Sequence, residues 1–221
     1  MKKTGAYLFS SLFLLALALW VDLPLTRLIH ENLTPTLDAF FDDLSDVAHT
    51  ETYALLALGA YGIGLWALSI PAVAQRWKAV LERLVRGGLF MLLTMLSGGI
   101  VVLVLKHAVA RARPSMLLEQ SYYGLAAPFS GSPFNSFPSS HTLTAFAVAA
   151  VLARLLPAWR LPLLALASIV GACRILTLEH FLTDVIVAAL IAMACARFWA
   201  PRILDPAAQW PLRQPWRWHK A

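Results

Sequence analysis

The feature that most constrains this fold is a series of six long apolar runs. A helix needs roughly 20 apolar residues to cross a bilayer, and each run is about that long or somewhat shorter. The runs lie at residues 6–21, 53–70, 87–105, 142–159, 161–178 and 181–199. Because the chain is 59% hydrophobic and only 14% charged, it falls outside the range of soluble domains. We therefore predict an all-α polytopic membrane protein with six transmembrane helices.

The segments between the runs predict how this bundle is completed. After the first run, apolar residues recur at helical spacing and Pro35 interrupts them, so we expect two short amphipathic helices at the membrane surface. A basic amphipathic turn is expected between the second and third runs. Its basic residues are Arg76, Lys78, Arg83 and Arg86. Residues 200–221 predict a basic interfacial tail rich in tryptophan, and residues 1–221 are expected to form one domain.

The positive charges predict the orientation of the chain. With six spans, thirteen of the eighteen lysines and arginines fall on the side that holds both termini, which the positive-inside rule assigns to the cytoplasm. We therefore expect a multi-pass membrane protein with both termini in the cytoplasm, and we attribute the net charge of +6 to topology, not to nucleic-acid binding. The first run precedes the acidic loop without a small-residue cleavage site, so it is expected to stay uncleaved.

Ionisable residues interrupt the apolar pattern between the fifth and sixth runs. Residues 171–184 carry Arg174, His180 and Asp184. His180 and Asp184 are four residues apart and would share one face of a helix, where the carboxylate can hold one imidazole nitrogen and leave the other basic. Arg174 adds a planar cation suited to phosphate. The simpler interpretation is an ion-pair cluster that only fixes helix packing.

A second polar cluster, residues 106–114, ends the third run. Lys106 and Arg113 are seven residues apart, two turns of a helix, so we expect both to project from one face before Pro114 ends the helix. Arg111 points away from that face and is interpreted as a head-group contact. The alternative is a basic collar at the membrane interface, which suits a cytoplasmic helix end better than the outer end predicted here.

A third cluster, residues 137–142, precedes the fourth run. Pro138 and Ser139 predict a helix start with a capping hydroxyl, followed by Ser140 and His141 in the first turn. The free N–H groups at such a helix start attract anions. An ordinary helix cap beside a surface histidine is the alternative interpretation.

Topology predicts that the three clusters meet. The ends of the third and fifth spans and the starts of the fourth and sixth all face the outer side. Lys106, Arg113 and Arg174 are therefore expected to share one site with the helix start and two histidines. Since ionisable residues within membrane spans are functional by default, this combination indicates attack on an anionic group near a membrane.

In order and spacing, the three clusters resemble the three-part signature of the type 2 phosphatidic acid phosphatase (PAP2) superfamily. The matches are Lys106 and Arg113–Pro114 for K-x6-R-P, residues 138–141 for P-S-x-H, and Arg174, His180 and Asp184 for S-R-x5-H-x3-D. Two positions differ, because Cys173 replaces the usual serine and Ser140 replaces the common glycine. The resemblance covers nearly the whole chain and implies a PAP2-like helical bundle.

The resemblance also implies a reaction through a phosphohistidine. His180 would attack phosphorus, and Asp184 would orient it and stabilise its developing positive charge. His141 would protonate the leaving oxygen and later activate water.

Substrate binding is assigned by the same resemblance to Lys106, Arg113, Ser139, Ser140 and Arg174. Three fixed cations can neutralise phosphoryl oxygens as Mg²⁺ does elsewhere, so no metal or other cofactor is expected. The two cysteines, in different runs, are expected to be small core residues. Glu179 can tune the local charge, or it can equally be a rim residue.

The implied function is hydrolysis of a phosphate from an anionic membrane lipid at the outer face of the inner membrane. The candidates are undecaprenyl diphosphate, phosphatidylglycerol phosphate, phosphatidate and the phosphates of lipid A, and the sequence does not choose among them. Residues 115–137 have the length of a head-group lid, although their aromatic side chains equally fit interfacial anchoring.

Three other functions are considered. A phosphotransferase that passes phosphate between lipids would use the same first-step residues. A transporter or non-catalytic membrane protein is a remote alternative, because His141, His180 and Asp184 are all intact. The superfamily also contains soluble vanadate-dependent haloperoxidases, which six apolar runs disfavour.

Overall fold

The computed structural model describes residues 14, 16–208 and 212, and their regular secondary structure is helical apart from one isolated β-bridge. The prediction of an all-helical chain is confirmed. The helices whose bounds are described are α1 (Asp22–Asn32), α2 (Pro35–Ser45), α3 (Thr50–Leu68), α4 (Pro71–Val109), α5 (Pro114–Gln120), α6 (Ser140–Leu155), α7 (Arg160–Leu176) and α8 (Leu182–Ile203). Single 3-10 turns at Asp46–Ala48 and Pro157–Trp159 precede α3 and α7.

Among the described residues, four helical stretches are long and apolar enough to cross a membrane, and α6 is a shorter apolar helix. Helices α3, α4, α6, α7 and α8 correspond to the second to sixth predicted spans. The first predicted span, residues 6–21, lies partly outside the described residues, and its residues 16–20 are helical. The predicted tail over residues 200–221 begins within α8, and most of it lies outside the described residues.

The two short helices predicted after the first run are α1 and α2. Pro35 occupies the first turn of α2, where its missing N–H costs no hydrogen bond. The preceding Thr34 caps this helix by accepting a hydrogen bond from Leu37 N at 3.3 Å. Helix α2 packs against α7, so the first loop contacts the transmembrane bundle.

The predicted basic turn between the second and third spans is wrong. Helix α4 begins at Pro71 and continues without interruption through this basic stretch. Arg86 lies inside the helix and is buried, with 8% of its surface exposed. Its guanidinium donates to the carbonyl oxygens of Ile203 at 2.7 Å and Asp205 at 2.9 Å. These contacts satisfy carbonyls at the end of α8 that have no partner within the helix.

The core lies between α4, α6 and α8, where small side chains allow the helices to approach closely. Ala147 of α6 and Ala192 of α8 are fully buried there, beside Phe90 of α4. Gly88 brings α3 against α4, because a Cβ at this position would lie only 2.7 Å from the carbonyl oxygen of Ala57. This packing brings the end of α4 and the starts of α6 and α8 to the same end of the bundle.

Candidate active site

The cluster at residues 106–114 leaves the helix earlier than its spacing predicted. Helix α4 ends before Ala110, whose φ of 45° is left-handed. The chain then runs extended and pairs its backbone with residues 124–126. Pro114 begins α5 and does not end α4. The prediction that Lys106 and Arg113 project from one helix face is therefore wrong.

Asn135 instead brings Lys106 and Arg113 together. Lys106 Nζ donates to the Asn135 carbonyl oxygen at 2.6 Å. Arg113 Nε donates to the Asn135 side-chain oxygen at 2.8 Å. Asn135 was not predicted as a site residue. In the sequence, the one feature that links Asn135 to the site is its position three residues before Pro138.

His180 and Asp184 are close, but they do not share a helix face as predicted. Helix α8 begins at Leu182, so His180 lies in the preceding turn and Asp184 in the first helical turn. His180 Nδ1 lies 3.8 Å from Asp184 Oδ2, which is longer than a hydrogen bond. The same Oδ2 accepts hydrogen bonds from Ser136 Oγ at 2.6 Å and Phe181 N at 3.0 Å. These contacts fix the carboxylate beside the imidazole.

The His180 side chain is enclosed, with only 4% exposed. Burial lowers the pKa of His180, because the imidazolium form loses its hydration. The Asp184 carboxylate opposes this shift, whereas the positive charges of Lys106 and Arg113 add to it. The balance favours neutral imidazole, which is the form with a free lone pair on nitrogen.

Ser139 forms the predicted helix cap at the start of α6. Its Oγ accepts hydrogen bonds from Thr142 N at 3.4 Å and Thr142 Oγ1 at 3.0 Å. The backbone N–H of Ser139 donates to the Asp184 carbonyl oxygen at 3.4 Å, which joins the cluster at residues 137–142 to that at residues 171–184. Ser140 lines a cavity together with Lys106.

His141 lies on the side of the site nearest α3. Its ring centroid is 6.0 Å from that of His49, the residue just before α3. His141 lies close enough to Arg174 and to His180 to interact electrostatically with both side chains. The two predicted catalytic histidines therefore lie in one electrostatic environment.

Arg174 is buried, with 6% exposed, and contacts acidic residues that the sequence analysis did not assign to the site. Its Nη1 donates to Asp42 Oδ1 and Ser45 Oγ, both at 2.9 Å. Its Nη2 lies 3.6 Å from Glu179 Oε2, the same oxygen that pairs with Arg113. Asp42 and Ser45 belong to α2, so the first loop helps to build this site.

The interpretation of Arg111 as a head-group contact is wrong. Arg111 has only 7% of its surface exposed. Its Nη1 donates to Asp184 Oδ1 at 2.5 Å, and its Nη2 pairs with Asp22 Oδ2 at 2.8 Å. The guanidinium also lies 4.3 Å from the Phe181 ring centroid, a cation–π contact. Local spacing of residues could not predict that Arg111 pairs with buried carboxylates, because Asp22 is 89 residues away in the sequence.

Residues 115–137, predicted to form a lid or an interfacial anchor, pack partly onto this network. Tyr123 accepts a hydrogen bond from Arg111 Nη2 at 2.7 Å and donates to the Ala18 carbonyl oxygen at 2.7 Å. Its ring packs edge-on against Phe181 at 5.2 Å between centroids.

A cavity of about 250 Å³ opens beside the cluster. Lys106 and Ser140 lie at its polar end, and the rest of its lining is mostly apolar. The apolar part runs between α4 and α6, where the space beside Gly99 is open, because no atom from a neighbouring helix lies within 4 Å of an ideal Cβ position. The arrangement can therefore accept a group that is anionic at one end and apolar at the other.

Two solved structures have the same fold. The crystal structure of Aquifex aeolicus LpxE is 24% identical, with a TM-score of 0.53, and the match covers 80% of this chain and 93% of that chain. The transmembrane PAP2-type phosphatidylglycerolphosphate phosphatase of Bacillus subtilis is 20% identical, with a TM-score of 0.57 and coverage of 87% and 94%. At these identities the likeness concerns the fold alone.

Two curated relatives are similar in sequence. The lipid A 1-phosphatases of Rhizobium johnstonii and Rhizobium etli are 37% and 35% identical over 100 residues. The aligned stretch covers 45% of this chain and 41% and 43% of the two relatives. The match thus spans less than half the length of either relative.

The family model of the PAP2 superfamily matches residues 87–205, which is more than half of the chain. This range contains all three polar clusters from which the resemblance was drawn. The prediction of the family is confirmed, and the chain belongs to the PAP2 superfamily.

Proposed function

We propose that this protein is a lipid phosphatase that hydrolyses a phosphomonoester of a lipid A-type substrate without a metal ion. The observation that carries the proposal is the buried His180 beside a fixed carboxylate, Asp184, with the cations Lys106 and Arg113 close enough to act on its charge. The lipid A 1-phosphatases among its relatives support this choice among the candidate lipids.

The proposed first step transfers the phosphoryl group to His180. Its Nε2 attacks phosphorus, a P–N bond forms, and the P–O bond to the lipid breaks. Asp184 orients the ring through its Nδ1 side and stabilises the imidazolium that forms. His141 gives its proton to the departing lipid oxygen.

The second step returns the enzyme to its starting state. A water molecule loses a proton to His141 and attacks phosphorus, and the P–N bond breaks with its electron pair returning to His180. Inorganic phosphate leaves, and both histidines regain their initial protonation states. His141 thus acts first as an acid and then as a base.

The proposed phosphate site consists of Lys106, Arg113 and Arg174 with the start of α6. Positive charges aimed at the phosphoryl oxygens stabilise the charge that develops in the transition state. Ser139 contributes by capping α6, which fixes the N–H groups of its first turn toward the anion. Ser140 completes the polar end of the cavity.

The proposed environment is the outer half of the bacterial inner membrane, with both termini in the cytoplasm and one domain over residues 1–221. The apolar cavity beside Lys106 supports a lipid substrate, because a hydrocarbon chain can lie between α4 and α6 while its phosphate stays in the polar site.

Phosphate release tests this proposal. The purified protein in detergent with EDTA is given lipid A, phosphatidate, phosphatidylglycerol phosphate and undecaprenyl diphosphate in parallel. We expect release from lipid A by the wild type and by the control His107→Ala, and none by His180→Ala. Equal release by His180→Ala would overturn the mechanism. Transfer of the phosphate to a second lipid would identify a phosphotransferase.

A further inference from the structure

Glu179 is an acidic residue within the proposed phosphate site that the two chemical steps do not use. Its Oε2 pairs with Arg113 Nη1 and lies 3.6 Å from Arg174 Nη2. One carboxylate oxygen therefore bridges two of the three cations proposed to hold the phosphoryl group. A substrate phosphate that binds these arginines must displace the carboxylate.

The displaced carboxylate cannot move far, because its backbone is fixed. Glu179 follows Leu178, whose φ of 56° is left-handed, and precedes His180. The turn is closed by a hydrogen bond from His180 N to the Arg174 carbonyl oxygen at 3.1 Å. With 37% of its side chain exposed, Glu179 can rotate toward solvent but stays at the rim of the site.

The charges around the site are balanced before any substrate binds. Within the described chain, three arginines form ion pairs with four carboxylates, and Lys106 lies close enough to two of these carboxylates to interact with their charges. The cations are Lys106, Arg111, Arg113 and Arg174, and the carboxylates are Asp22, Asp42, Glu179 and Asp184. A phosphomonoester adds about two negative charges near neutral pH, and every further anionic group adds repulsion beyond what these four cations offset.

Glu179 is the carboxylate best placed to sense that further charge. Asp22 and Asp184 are fully buried and paired with Arg111. Asp42 forms an ion pair with Arg174, and its side chain is 57% exposed. Glu179 contacts both phosphate-binding arginines and stands beside the proposed nucleophile.

We propose that Glu179 is a specificity-determining residue that makes the site select lipid monophosphates over lipid diphosphates. This inference rests on the proposed function and narrows its substrate class. At the rim, the carboxylate repels a second phosphate group next to the one that reacts. It accepts hydrogen bonds from hydroxyl or amide donors in the same place, so it favours phosphates attached to a sugar-like head group.

Farnesyl monophosphate and farnesyl diphosphate provide the test, because the two lipids differ only in the second phosphate. We expect the wild type to show a higher kcat/KM with the monophosphate. Glu179→Gln keeps the side-chain shape without its charge and should raise the diphosphate-to-monophosphate ratio of kcat/KM about tenfold. Glu179→Asp retains the charge and should keep the ratio of the wild type.

The matched control is Glu119→Gln in α5, which removes an exposed carboxylate that has no ion pair within the described residues. Its ratio of kcat/KM should equal that of the wild type. An unchanged ratio in Glu179→Gln, or an equal rise in Glu119→Gln or Glu179→Asp, would overturn the inference.

A binding measurement separates this inference from the proposed function. If the wild type releases phosphate from neither lipid A nor the two farnesyl lipids, the proposed function fails, and calorimetric titration with inorganic phosphate and pyrophosphate in EDTA still tests Glu179. We expect Glu179→Gln to gain more affinity for pyrophosphate than for phosphate. Equal gains for the two anions would contradict charge selection by this residue.

Discussion

Two buried arginines at opposite ends of α8 show how differently the two ends of this bundle are built. Arg86 and Arg111 are almost equally enclosed, with 8% and 7% of their surfaces exposed. Arg86 donates to backbone carbonyl oxygens beyond the end of α8, at Ile203 and Asp205 among others. Arg111 instead pairs with carboxylates near the start of α8.

The difference follows from what each end must neutralise. The last carbonyls of a helix carry partial charges without partners, and one guanidinium can satisfy several of them at once. Asp22 and Asp184 carry full charges and are completely buried, which is costly unless a cation pairs with them. Arg86 therefore closes a helix, whereas Arg111 makes it possible to keep an ionised carboxylate beside His180.

Removing Arg111 should have the largest effect. In Arg111→Met, two buried carboxylates lose their cation, so we expect the free energy of unfolding to fall by about 3–5 kcal/mol. Phosphate release should fall with it, because Asp184 loses one of its positioning contacts. Thermal unfolding in detergent and phosphate release measure the two effects.

A second substitution separates charge from packing at this position. Asp22→Asn added to Arg111→Met should recover part of the lost stability, because only one buried carboxylate is then unpaired. If Arg111→Met were as stable as the wild type, Arg111 would not be needed to neutralise buried carboxylates, and the difference in role between the two arginines would be contradicted.

Removing Arg86 should have a smaller effect of a different kind. Arg86→Met leaves several carbonyls without donors, and we expect a loss of about 1–3 kcal/mol in the free energy of unfolding. Phosphate release per folded molecule should stay at the wild-type level, because the site lies at the other end of α8. Loss of activity at unchanged stability would show that Arg86 also acts on the site.

The pH dependence of kcat/KM is the smallest of the predicted effects, and it tests the same difference between the two ends of α8. His180 must be neutral to attack phosphorus, and burial lowers its pKa, so it stays unprotonated at pH values where an exposed histidine is half protonated. We expect the acid limb of the kcat/KM profile to lie below about pH 6.5. Arg86→Met should leave this limb in place. An acid limb above that pH would contradict a buried neutral nucleophile.

Hydropathy predicted the helices well, because apolar length alone identifies a membrane helix. It located the second to sixth runs, and Pro35 correctly divided the first loop into two helices. It failed where polar residues continue a helix. The basic stretch before residue 87 was taken for a turn, but α4 begins at Pro71 and the guanidinium of Arg86 finds its partners 117 or more residues away.

Topology predicted that the three clusters meet in one site. The local geometry within the clusters was not predicted correctly. Helical spacing placed Lys106 with Arg113 and His180 with Asp184, and in both pairs one residue lies outside the helix. The pairs are held together by Asn135 and by the capped start of α8. The contacts of Asp22 and Asp42 with the site arginines depend on tertiary packing, which no spacing pattern in a single sequence encodes.

The most direct test of the central claim is to trap the covalent intermediate on His180. Substrate is mixed rapidly with the protein, the reaction is stopped in alkali, in which phosphohistidine is stable, and the modified residue is located by mass spectrometry. We predict one phosphoryl group on His180 in the wild type and none in His180→Ala. A phosphoryl group on another residue, or turnover without any labelled protein, would contradict nucleophilic attack by His180.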